Sequence, residues 1–328
     1  MNKKNNTCVL IVVFAALLAI FVVSILLKNK GRKARSFRAD IIQVDSAAVE
    51  RIVVTRQPGD KKVILTKENE NWMVDNGDIK SPTQENVVEE AISVLSRAEV
   101  EQLVANDKQA WGDYGVTDTM ATRVELFAPG KDKMLDLYLG RFQYNQRGYR
   151  RQQGSSSISG STYVRPEGKD KVYAVSGFIS MHFNKPFNRW RNGTLIETTP
   201  SSIRHVACEY PADSSFVLHM QDSVWMIDDT KADQAAVDKY VNALKSKSSF
   251  RFADDFEAEA DSEPQFVVSI SGNNMDDIVL KAWEECVSCG DYTIHSSQNP
   301  GVYFTVKKER LFGDIFKRKQ DFLPIEQE

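Results

Sequence analysis

The chain is sparing with the residues that most often hold metals or carry nucleophilic chemistry, having four cysteines and four histidines in 328 residues. His182, His205, His219 and His295 are never close enough in sequence to read as a ligand pair. Among the cysteines only Cys286 and Cys289 are, whereas a structural zinc site usually shows a second closely spaced pair. Gly-x-Ser-x-Gly, a phosphate-binding loop, a dinucleotide fingerprint and His-Glu-x-x-His are all missing. No catalytic residue, cofactor site or metal site is therefore assigned, and a non-enzymatic protein is expected. Net positive charge is confined to the first 40 residues. That segment has eight Lys and Arg against Asp40, contributing +7 to a whole-chain charge of −3 and leaving −10 for the remainder. Nucleic acid, which demands a basic face, is not an expected partner.

What is present begins with a hydrophobic run. From Cys8 to Leu27 the chain has no charge, and about 20 such residues at 1.5 Å rise match a hydrocarbon core of roughly 30 Å. The run ends directly in Lys28-Asn-Lys-Gly-Arg-Lys-Ala-Arg35, without the small-x-small site of a cleaved signal peptide. The expected organisation is a cytoplasmic tail (1–8), a transmembrane anchor (9–27) in the bacterial inner membrane and a basic juxtamembrane linker (28–40) against anionic headgroups. The body behind it is expected in the periplasm. The heavier basic flank taken alone argues for a cytoplasmic-facing body, but that rule is weakest for long translocated domains.

The rest of the chain repeats itself. "AAVERIVVTR" (47–56) parallels "SSIRHVACEY" (201–210), and "KKVILTKENENWMVD" (61–75) parallels "SSFVLHMQDSVWMID" (214–228), with Trp72-Met73 matching Trp225-Met226. A helix follows in each copy, opened by Ser81-Pro82-Thr-Gln84 in the first and Thr230-Lys-Ala-Asp233 in the second. Val88, Ala91, Ile92 and Leu95 make one apolar stripe, and Val237, Tyr240, Val241 and Leu244 make the other. Hairpins turning at Pro129-Gly130 and at Gly272-Asn273-Asn274 come next, then strand pairs containing Val172-Tyr173 and Val302-Tyr303. The expected fold class is α+β: an N-terminal transmembrane helix followed by two similar antiparallel-sheet-plus-helix units, 41–193 and 194–317, and a C-terminal tail, 318–328. Copy one adds "EVEQLVANDKQAWGDYGVTDT" after its helix and a basic, Gly/Ser-rich loop, 141–161.

Within this frame Cys286 and Cys289 fall in a turn between two strands, where residues i and i+3 are close enough for a disulfide. A thioredoxin-like site needs the pair at a helix start, and no helical pattern begins here. A reduced pair, or zinc with Cys208, His219 or His295, remains an alternative. The acid pairs Glu89-Glu90, Asp254-Asp255, Asp276-Asp277 and Glu284-Glu285 read as solvated surface. The matched aromatics read as core. The loop holding Arg141, Tyr144, Arg147, Tyr149, Arg150 and Arg151 sets positive charge and aromatic rings on an acidic body, and is the candidate surface for contact with a partner.

The pattern resembles the family of envelope proteins carrying the domain of unknown function 4340. The likeness rests on the N-terminal run, "VERIVVTR", "ENWMVD", "WGDYGV" and the series "LYLG…TYVR…KVYAV…F", over roughly residues 40 to 260; copy two lacks the "YGV" element. The resemblance implies a bacterial membrane-tethered protein, often encoded beside ABC-transporter parts of the gliding-motility type. It brings no established catalytic residues. The function expected on this basis is a membrane-anchored accessory or scaffold protein that binds components of such a complex. The alternative is an envelope hydrolase or glycan-binding module using a cleft between the two units.

Overall fold

Runs of β-branched and aromatic residues alternating with polar ones favour strands with one dry and one wet face, and strands are the commonest element of the described chain. The structure, a computed structural model, describes residues 41–59, 61–145, 159–256, 263–286 and 290–324. It divides into two compact units. The first takes the described residues up to Lys80 together with Asn86–Lys185, and the second takes Ser81–Glu85 and everything from Pro186. The sequence places this division at 193/194.

The first unit is built on a sheet of nine strands: β1 (Arg51–Arg56), β2 (Lys61–Glu68), β3 (Asn71–Asp75), β4 (Lys80–Pro82), β5 (Val100–Ala105), β6 (Thr122–Phe127), β7 (Lys133–Asn145), β8 (Ser159–Pro166) and β9 (Val172–Ser176). Their order is β4-β3-β2-β1-β6-β7-β8-β9-β5. In the second unit, β10 (Thr194–Glu197) and β15 (Ser246–Ser248) form a small ribbon. The main sheet there has eight strands: β11 (Ile203–Glu209), β12 (Phe216–Gln221), β13 (Val224–Ile227), β14 (Thr230–Lys231), β16 (Phe266–Gly272), β17 (Ile278–Cys286), β18 (Asp291–Ser296) and β19 (Tyr303–Lys307). Its order, β14-β13-β12-β11-β16-β17-β18-β19, repeats that of the first sheet strand for strand up to β9. Register agrees as well: Ile52 faces Leu65 and Leu65 faces Val74, as Val206 faces Leu218 and Leu218 faces Ile227.

The fold class nonetheless departs from expectation. Where an α+β chain with an N-terminal transmembrane helix is expected, the described chain is predominantly antiparallel sheet, and no helix among the described residues is long and apolar enough to cross a membrane. Segment 9–27 lies outside the described residues. Each main sheet has a single ten-residue helix, α1 (Val87–Ser96) or α4 (Gln234–Ala243), while α2 (Trp111–Tyr114) and α3 (Ile179–Phe183) are about one turn each. The stripes themselves are buried: Val88, Ala91 and Leu95 are fully enclosed, as are Val237 and Leu244.

Helix starts differ from the pattern that sequence suggests. Ser81-Pro82 belongs to β4 and not to a cap, because Pro82 O accepts from Asn192 N (2.8 Å) and Gln84 N donates to Trp190 O (2.8 Å). Those bonds hold 82–84 extended, so α1 begins only after Asn86. In the second copy Thr230-Lys231 forms β14, and Asp233 caps α4 by accepting from Ala235 N (2.9 Å) and Ala236 N (3.2 Å). Part of the expected tail is core: Phe322 is 1% exposed and packs on Phe216 and Tyr240.

The segment after each helix covers the last strand of its sheet. In the first unit it is β5, paired antiparallel with β9 and irregular in register at two places. In the second, Phe252 bridges Phe304 of β19, Ala253 N donates to Tyr303 O (2.9 Å) and Thr305 N donates to Arg251 O (2.9 Å). The segment "EVEQLVANDKQAWGDYGVTDT", expected as an addition to copy one, thus contains a strand with a counterpart in copy two.

Trp225 lies at 4% exposure on the dry face of β13, and Trp72 at 6% occupies the matching place on β3. Trp225→Ala should cost about 3–5 kcal/mol. Urea unfolding of the full chain followed by far-UV circular dichroism measures this, and a loss under 1 kcal/mol would show that the ring is not a core element.

Candidate functional site

Arg165 of β8 is the most deeply buried charge of the first unit, at 3% exposure. Its guanidinium lies 3.8 Å from the ring centre of Trp111 and 3.8 Å from that of Tyr138. Nε donates to Val116 O (3.0 Å) and one terminal nitrogen donates to Asp118 (2.5 Å). Local sequence explains how the partners arrive. Gly115, at φ +67°, ends α2 in the left-handed region and lets the chain fold over β7, where Gly140 leaves room for Tyr114 O that a Cβ would fill. Trp111 Nε1 then donates to Asp170 O (2.8 Å). The motifs "WGDYGV", "LYLG" and "TYVR" therefore meet at one point. A guanidinium stacked on aromatic faces and bonded through its fork is a packing device.

The second unit solves the same problem with another arginine. Arg191, 3% exposed, binds Asp254 through both terminal nitrogens (2.8 and 2.7 Å) and stacks 3.6 Å from the Phe252 ring centre. Its buried Nε has no hydrogen-bond partner among the described residues. Asp254, expected as a solvated acid, is instead the anion that neutralises this group. Each post-helix segment is thus fastened by one arginine, the aromatic rings it stacks on and one aspartate. Elsewhere on the wet face of the first sheet, Arg123 forks onto Asp136 (2.9 and 2.8 Å), while Lys133 reaches Glu125 (2.6 Å) and Asp136 (2.9 Å). Burial pulls the Asp136 carboxyl upward, but these bonds hold it below the usual carboxylate range.

Beyond that packing lies an exposed aromatic patch. Phe142 is 39% exposed and Tyr144 56%. Their ring centres are 5.4 Å apart, and Phe178 lies 5.8 Å from the first and 5.4 Å from the second. Phe178 is held in place because Gly160, opposite Tyr144, leaves space under its ring. Met181 on α3 is also exposed. Beside α3 is a groove of 430 Å³ lined by Glu89, Glu90 and Arg97 of α1 and its flank, and by His182. Burial, with the Lys185 charge adding to it, lowers His182 from the ordinary imidazole range.

The residues singled out from sequence fare differently. Arg141 and Tyr144 are strand residues, because β7 runs to Asn145 and β8 starts at Ser159, so the expected loop 141–161 is shorter at both ends. Cross-strand pairs Phe142–Thr162 and Gln143–Ser161 explain the extension. Arg147, Tyr149, Arg150 and Arg151 lie outside the described residues. Cys286 ends β17 opposite Asp291 of β18, while Cys289 lies outside the described residues. Cys208 is buried and free, its thiol pushed up to about 12 by burial. Among the described residues no group of three or more His, Cys, Asp or Glu is placed to hold a metal. Phe178 was missed by sequence reading, since only the sheet register brings it to Phe142 and Tyr144.

A two-sheet scaffold with motif residues committed to packing defines a class known by its architecture rather than by a reaction. The chain belongs to the family described as a domain of unknown function (DUF4340), whose profile matches residues 72–265. The match starts inside β3 and ends just before β16, so it takes in both arginine fastenings. Neither a curated protein nor a solved structure matches the chain.

Arg165→Lys keeps the charge but loses the fork and the flat stacking surface. Its expected cost is about 2–4 kcal/mol, from charged hydrogen bonds and two cation–π contacts. The near-ultraviolet dichroism of Trp111 should weaken in parallel. An unchanged urea midpoint in this variant would remove the fastening role.

Proposed function

We propose that this protein is a non-enzymatic accessory component of the bacterial envelope that binds other proteins, namely subunits of an ABC-type transport or gliding-motility-like complex. Its body lies on the periplasmic side of the inner membrane. The observation that carries the reading is the patch of Phe142, Tyr144 and Phe178, which keeps aromatic surface in water on the strand that carries Arg141. Exposed rings next to positive charge suit a partner with apolar side chains inside an acidic rim. The class of partner follows from the family resemblance. The location is supported by the uncharged run from Cys8 to Leu27 and by the cations from Lys28 to Arg38.

A photo-crosslinking amino acid at position 144, introduced in the producing cells, should join this protein to a membrane subunit of the transporter. Phe142→Ala with Tyr144→Ala should reduce that product about tenfold, in the range of an aromatic hot spot, while changing stability by no more than about 0.5 kcal/mol. Crosslinks no stronger than those from a control position at Lys62 would defeat the reading. Enrichment of peptidoglycan fragments at the patch would favour glycan binding instead.

Topology is tested separately. A C-terminal alkaline phosphatase fusion should be active and a fluorescent cytoplasmic reporter dark. The opposite pair of results places the body in the cytoplasm.

A further inference from the structure

The wet face of the second sheet carries a row that the sequence does not reveal. His205 of β11 is directly opposite His219 of β12, and His219 is directly opposite Met226 of β13. Alternation along each strand settles their direction. Val206 and Leu218 beside them, and Trp225 and Ile227 around Met226, point into the core, so His205, His219 and Met226 share the other face. His205 is exposed, and His219 and Met226 are half-buried.

Directly opposed residues have Cβ atoms about 4.5–5.5 Å apart. That lets two imidazoles rotate onto one ion with metal–nitrogen distances near 2.0 Å. The neighbouring charge is compatible. Asp228, two residues beyond Met226, adds a carboxylate there that accepts from the Val217 amide (2.9 Å) and from Lys319 Nζ (2.5 Å). Lys231, opposite Met226 at the row's end, is exposed and can carry its ammonium away from the ion on its flexible stem.

The duplicated scaffold provides an internal control. The matching row of the first sheet is Arg51, Thr66 and Met73, opposed in the same way. The fold therefore accepts residues with no imidazole at the first two places, and packing does not require the histidine pair.

We propose that His205, His219 and Met226 form a copper-binding site on the wet face of the second sheet. Two imidazoles and a thioether make a borderline-to-soft donor set. Imidazole suits Cu(II), the thioether suits Cu(I), and among divalent first-row ions copper binds such nitrogen donors most tightly. The site is independent of the partner-binding reading, since it lies on the other unit and needs no second protein.

The test uses the untagged full chain with its accessible thiols alkylated, so that Cys286 and Cys289 cannot compete. Titration with Cu(II) against a chelator should give one ion per chain, and electron paramagnetic resonance should show splitting from two imidazole nitrogens. His205→Arg with His219→Thr, which copies the first unit, should weaken Cu(II) binding by more than about a hundredfold, beyond the roughly 10–100-fold that losing an outer-shell contact alone can give. Far-UV dichroism and the urea midpoint of this variant should remain unchanged. Met226→Leu should leave Cu(II) affinity within about threefold and weaken Cu(I) about tenfold or more, as expected from donor softness. Single His219→Gln serves if the double variant does not fold. Copper retained at full affinity in the histidine variants, or a spectrum of amine and backbone-amide coordination, would overturn the proposal.

Discussion

The constraint on which both units depend is that each offers a single ten-residue helix to an eight- or nine-stranded sheet, so that short segments such as α3 and the stretch around Phe316 have to complete the cover of one face while the other manages without such a helix. The dry faces are ordinary: Ile52, Leu65, Leu126 and Leu137 of the first sheet, and Val206, Leu218, Ile270 and Leu280 of the second, are all fully buried. The opposite faces are where the chain becomes particular. On the first sheet, Arg123, Asp136, Lys133 and Glu125 keep the surface wet by pairing with one another, and Trp111 lies over Arg165. On the second, Phe256, Trp283 and Tyr303 shield one end with their rings, while His205 and its row stay open to water at the other.

A buried arginine recurs in both units although the two arginines come from unrelated places, one from β8 and one from the segment before β10. What is common is the job of fastening a post-helix segment. A planar cation held between rings and a carboxylate supplies direction where hydrophobic contact would supply only adhesion. Trp111, Gly115, Tyr138 and Arg165 form one fastening, and changing one of them leaves the others without their partner.

Much of this was legible in residue order. Period-two and period-3.6 patterns gave the strand pairs, the two helix stripes, the hairpin turns at Pro129-Gly130 and Gly272-Asn273, and the correspondence of Trp72 with Trp225. What was not legible depends on register between distant segments. Val100–Ala105 reads as filler because its polar residues interrupt the alternation, and only its bonds to β9 make it a strand. Asp254 reads as one acid among many until Arg191, far away in sequence, is placed against it. His205 and His219 are 14 residues apart, too far for a ligand motif, and a hairpin makes them neighbours. The helix start was misread for the same reason, since Ser81-Pro82 carries cap chemistry while backbone bonds to Trp190 and Asn192 keep it extended.

The covering of β9 by β5, and of β19 by Arg251–Ala253, also has a temporal side. A ribosome delivers the chain from its N-terminus, so in each unit the covering segment has been made well before the strand it covers. β5 ends at Ala105 and β9 begins at Val172; Ala253 likewise precedes Tyr303. When the last strand emerges, a partner for its free side is already present in the same molecule. Each sheet can therefore be sealed as it is completed, and the interval in which a neighbouring nascent chain could pair with that strand is shortened.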